Sequence, residues 1–94
     1  MKIKDQEFSN INELILMLQA ENEHQLRKWG IQTHAPSEWL MFLGEEYGEL
    51  CQAVLEHQFA DGNKLAVVEE AIQTATLALK IAEMYMEKKC QEKK

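Results

Sequence analysis

The chain has 94 residues, 46% of them hydrophobic and 28% charged, with 16 acidic against 10 basic side chains and a net charge of −6. That length holds one domain, 1–94, and excludes two; the composition is that of a globular chain and excludes a disordered one. The acidic surplus disfavours a nucleic acid polymer as partner, since backbone binding needs a basic surface. It leaves room for a nucleotide held through a metal ion, whose charge reverses the local sign.

Residues 1–8 read as a polar lead-in. Met1 to Asp5 lacks the apolar core of a signal peptide, and no apolar run approaches membrane-spanning length. The expected location is the cytoplasm, with no membrane partner. Cys51 falls inside a predicted helix and Cys90 in a charged tail. Both read as free thiols, not as a disulfide framework.

A first helix is expected over about 10–28. Ser9 or Asn10 can cap it, and Glu13 stands three residues after Asn10 in capping-box spacing. Ile11, Leu14, Ile15 and Leu18 recur at helical spacing, and Leu26 extends the pattern less regularly. Gly30 is the stop signal, and Ile31 to Pro36 form a connector. A second helix is expected over about 37–60, capped by Ser37, with Glu38 in the dipole-favoured first turn. Leu40, Leu43, Tyr47, Leu50 and Val54 make a 3,4,3,4 apolar seam.

Asp61-Gly62 signals a turn, after which Asn63 can cap a third helix over about 63–88. Its seam is Leu65, Val68, Ile72, Ala75, Leu79, Ala82 and Met86. A second group, Val67, Ala71, Ala78, Ile81 and Tyr85, widens the apolar arc beyond what one partner helix covers. The lysine-rich tail after Glu87 reads as a solvated end. No strand periodicity competes, and one proline and four glycines argue against an all-β chain. The expected fold is all-α, an antiparallel helical hairpin bundle completed by oligomerisation, as a homodimer or homotetramer.

Two acidic patterns stand out: Glu45-Glu46-Tyr47-Gly48-Glu49-Leu50 and Glu69-Glu70-Ala71-Ile72-Gln73. Glu46 and Glu49 share one side of a helix, as do Glu70 and Gln73, because residues i and i+3 point the same way. If the two helices are antiparallel, four oxygen-bearing side chains can converge. Such a set suits a hard cation, Mg²⁺ with Mn²⁺ as a substitute, which takes oxygen ligands and bridges to phosphates. The plainer reading is a solvated acidic surface, since Glu is a strong helix former. Against it, Glu45 is followed at i+4 by Glu49, a like-charge pair costing a few tenths of a kcal/mol, and Glu46 by Leu50, so no lysine neutralises the cluster.

Taken with Trp29-Gly30, His34 and Trp39 ahead of them, these patterns resemble the MazG-like proteins of the all-α nucleoside triphosphate pyrophosphatase superfamily. That family carries Glu-x-x-Glu followed after a variable gap by Glu-x-x-Asp. Glu46, Glu49 and Glu70 match, while Gln73 stands where the family usually has aspartate. The likeness spans about residues 25–86. It implies Mg²⁺-dependent cleavage of a nucleoside triphosphate to the monophosphate and pyrophosphate. Glu46, Glu49, Glu70 and Gln73 would face the metal, with Glu45, Glu46 and Glu49 as the catalytic set; Glu45 or Glu69 would orient a metal-bound water. A neutral amide at 73 weakens the cation site, so the alternative is a weak or inactive helical module that binds nucleotide or a protein partner.

Trp29, Trp39 and Phe42 can stack on a base, although Trp39 reads first as core. Lys80, two turns after Gln73, can reach a phosphate or remain a solvated lysine. Glu21-x-x-His24 has di-iron spacing but occurs once, where that chemistry needs two copies. His34 and His57 read as surface or capping residues.

Overall fold

A computed structural model of the protein describes residues 7–91, with side chains for 7–86. The lead-in at 1–6, the tail residues 92–94 and the side chain of Cys90 lie outside the described residues. The described residues form three helices: α1 (Ile11–Trp29), α2 (Pro36–Ala60) and α3 (Lys64–Gln91). All lie close to the expected segments, and α3 runs past 88.

The termini follow local chemistry, with two corrections. α1 ends at Gly30, whose φ of 72° and ψ of −168° only glycine adopts readily; its N–H closes on the Leu26 carbonyl at 2.8 Å. At the other end Asn10 makes no side-chain cap bond, so the capping box expected with Glu13 does not form. Ser37 does not cap α2 either. Pro36 already occupies the first helical position, where its missing N–H is no loss. Glu38 instead reaches back and accepts from the Ala35 N–H at 2.8 Å. Asn63 caps α3 as expected, its Oδ1 accepting from the Leu65 N–H at 2.9 Å.

The turn between α2 and α3 is tight. Asp61 takes a left-handed conformation, φ 58° and ψ 31°, and the Gly62 N–H donates to the Glu56 carbonyl at 2.8 Å. A Cβ on Gly62 would lie 2.8 Å from the Glu56 carbonyl carbon, so no larger residue fits there without a shift. His57 Nδ1 donates to the Gly62 oxygen at 2.8 Å, fastening the end of α2 to the turn.

This turn folds α3 back along α2, and α1 packs on α3. The hairpin packs through only part of the expected seams, with Leu43 and Leu50 half-buried and Ile72 buried. Its inner line on α2 is Trp39, Leu43, Glu46, Leu50 and Ala53, while Leu40, Tyr47 and Val54 are exposed. On α3, Leu77 is buried and Ala66, Glu70, Gln73 and Lys80 are half-buried, while Leu65, Val68, Leu79 and Met86 are exposed. The inner line of α1 turns polar toward its C-terminus, running from Leu14 and Leu18 through Glu21 to buried Gln25, with Leu26 exposed.

The resulting core is thin. Trp39, Ala53, Ile72 and Leu77 are its buried apolar side chains, and no described side chain is completely enclosed. Thr76, also buried, satisfies its hydroxyl by donating to the Ile72 carbonyl at 2.7 Å. The radius of gyration is 15.4 Å, against about 12 Å for a compact chain of this length.

Candidate metal centre

Glu46 and Glu49 come from the middle of α2, and Glu70 from the second turn of α3. Each offers one carboxylate oxygen, and these oxygens lie within 4.8 Å of one another. The i,i+3 spacing aligns the first two, and the tight turn brings the third opposite them. The structure therefore gathers three of the four expected oxygen donors. The fourth, Gln73, lies a turn along α3 and lines the same cleft as Glu45 and Glu46.

The group is electrostatically unsatisfied. Oε1 of Glu46 and Oε1 of Glu70 are shut off from solvent and have no hydrogen-bond partner. A carboxylate oxygen in that position lacks both water and a donor. Burial, then the charges of Glu49 and Glu70, push Glu46 from 4.5 up to about 7. Burial and Glu49 also raise Glu70. Either a proton or a cation relieves such a cluster. Three carboxylates converging from two helices fit Mg²⁺ or Mn²⁺ by ligand type and charge.

A cleft of about 470 Å³ opens between α1 and the hairpin, beside this group. Trp29, Trp39 and Phe42 give it aromatic walls, and Glu21, Glu45, Glu46 and Gln73 also line it, whereas Glu49 and Glu70 do not. Trp39 is core as well as wall. It meets Phe42 edge to face at 5.9 Å, and His34 packs edge-on against both, at 5.1 and 5.2 Å. His34 is thus a packing residue, not a surface one, with Nδ1 3.5 Å from Glu38. Trp29 and Phe42 keep free surface, and Lys28 Nζ stands 4.8 Å from the centre of the Trp29 ring.

Lys80 is neither free in solvent nor among the residues lining this cleft. Its ammonium donates to Gln25 Oε1 at 2.8 Å and lies 5.5 Å from the Trp39 ring centre. Burial pushes its pKa down. Gln25 Nε2 in turn donates to Glu21 Oε2 at 2.9 Å. This chain of three ties α1 to α3 and sets Glu21 at the cleft. The sequence reading missed Gln25, and weighed Glu21 and His24 only as half of a di-iron motif. Both Glu21 and Gln25 continue the helical spacing of Leu14 and Leu18, which was the available signal.

No protein-family model, no curated protein and no solved structure matches this chain.

Proposed function

We propose that the protein is a Mg²⁺-dependent nucleoside triphosphate pyrophosphohydrolase. The observation that carries this is the convergence of Glu46, Glu49 and Glu70, two of them with a buried oxygen lacking any partner. The resemblance of the Glu46-x-x-Glu49 and Glu70-x-x-Gln73 pattern to MazG-like enzymes supports the same reading. The reaction is hydrolysis of the α–β anhydride: water adds to the α-phosphorus, its P–O bond to the β-phosphate breaks, and pyrophosphate leaves.

Glu46, Glu49 and Glu70 would hold the cation, with Gln73 beside them. When bound, the cation supplies neutralisation of the phosphate oxygens and acidification of a bound water. The protein's own part is positioning. Trp29 and Phe42 offer ring faces to a base, and Glu45 in the lining of the cleft orients water. Lys80 acts through Gln25, holding the wall of the cleft in place.

Purified protein incubated with canonical and modified triphosphates plus Mg²⁺ should release pyrophosphate from at least one, and Glu49→Ala should abolish that release. Gln73 favours a second reading, a binding module, because it removes one negative charge from the site. Thermal stabilisation by a nucleotide with no pyrophosphate formed would decide for the module.

A further inference from the structure

Glu46 belongs to two places at once. It is part of the carboxylate triad, and it lines the cleft between α1 and the hairpin, together with Glu21, Glu45 and Gln73. On the cleft side Gln73 presents a neutral amide, so α3 brings no charge there. Glu21 is the acid that α1 contributes instead. It is half-buried and stands one turn before the buried Gln25.

The hydrogen bonds behind Glu21 run in one direction. The Lys80 ammonium can only donate, so Gln25 turns its side-chain oxygen toward it, at 2.8 Å. The Gln25 amide nitrogen then faces Glu21 and donates to Oε2 at 2.9 Å. Among the described residues that is the one hydrogen bond Glu21 makes, and no ion pair joins it to Lys80. An amide set between ammonium and carboxylate aims the carboxylate without the direct contact that would neutralise it. The other cationic groups of this wall, Lys28 and a protonated His24, occupy exposed positions nearer the C-terminus of α1. Lys28 is drawn to the Trp29 ring, 4.8 Å from its centre. Burial, Glu49 and Glu70 weigh most on the Glu46 carboxyl, and Glu21 adds its charge to theirs from α1. Oε1 of Glu21 is thus an acceptor on the cleft wall to which the described residues supply no donor.

We propose that Glu21 is the outer carboxylate of the metal centre, supplying from α1 the negative charge that Gln73 lacks. This role rests on the Mg²⁺ centre of the proposed function. Glu21 is not a fourth direct ligand, because the described carboxylates that come within 4.8 Å of one another are those of Glu46, Glu49 and Glu70. Mg²⁺ keeps several waters and demands near-octahedral surroundings. A carboxylate one water further out accepts from that shell and adds its field to the site. The centre then draws on all three helices, and a neutral side chain at 73 weakens it less than the α2–α3 hairpin alone would imply.

Two substitutions separate charge from hydrogen bonding. Glu21→Gln removes the charge and keeps an oxygen that can accept from Gln25, so the tie between α1 and α3 survives. Glu21→Asp keeps the charge and draws the carboxylate back from Gln25. In calorimetric titrations with Mg²⁺ and with Mn²⁺, Glu21→Gln is expected to bind about tenfold more weakly than the wild type, the size usual for an outer partner of a metal site. Glu21→Asp should stay close to the wild type, and adding Gln73→Asp to Glu21→Gln should restore most of the lost affinity. Wild-type affinity in Glu21→Gln overturns the proposal. So does weaker binding by Glu21→Asp than by Glu21→Gln, or a double variant without rescue, since either makes Glu21 a strut for α1. A wild type that binds neither ion removes the metal centre and this role together. If the wild type binds the ion, Glu49→Ala does not, and no triphosphate is cleaved, the reaction falls while the comparison at Glu21 still decides.

Discussion

Glu46 sits on the inner line of α2, facing α3, yet it is a carboxylate with an unpartnered oxygen. In metal-free protein its pKa stands near 7 against 4.5 when unfolded. Between about pH 4.5 and about pH 7 the folded state therefore holds a proton that the unfolded state has released. Linkage then requires stability to fall as pH rises through that window. Melting temperatures in a chelator should decline over that range, and Glu46→Gln should flatten the decline; an unchanged slope in the variant would locate the proton elsewhere. Gln73→Asp should tighten Mg²⁺ in a calorimetric titration by restoring a negative charge beside the triad. Unaltered affinity would mean that residue 73 does not face the ion. The triad was legible because i,i+3 spacing and an Asp-Gly turn fix where the oxygens point. Gln25 was not, because its one mark is that it continues the spacing of Leu14, Leu18 and Glu21, and a glutamine on that line does not read as buried until the lysine opposite it is in place.

At the level of helices, extents were easier to read than faces. Gly30, Pro36, Asp61, Gly62 and Asn63 punctuate the chain through backbone rules that act locally. The packing faces depend on what lies across the gap. Counting only apolar residues picked Leu40, Tyr47 and Val54 on α2, all of which are exposed. The inner line passes instead through Glu46 and the small Ala53, which lets α3 come close. Likewise α1 was followed from Ile11 to Leu26, while its buried side ends in Gln25. The turn between α2 and α3 is the element-level point of failure. Gly62→Ala should destabilise by roughly 1–3 kcal/mol, the usual cost of overpacking a filled site. Chemical denaturation checks it, and a loss well under that range would mean that the start of α3 moves aside.

Across the whole molecule, the elongated shape and the thin core have one origin. Three helices of this length can enclose little when α1 and α2 both lie on α3 rather than on each other. Charge is sorted accordingly, with the acids of α2 toward one side of the hairpin and a neutral surface on the other. Composition forecast a globular chain and helical periodicity an all-α one, and that is what the described residues form. It could not forecast which surface stays bare, because that is a property of three helices arranged together.

The fastening of α1 has a consequence for how the cleft behaves. Toward its C-terminus, where Glu21, His24 and Trp29 form one wall, that helix is held to its neighbour by a glutamine–lysine hydrogen bond. A polar latch gives way at lower free energy than a packed seam does. This wall can therefore swing as a leaf while the opposite wall, stiffened by the aromatic trio, stays put, and anything lodged between them meets one rigid jaw and one compliant one.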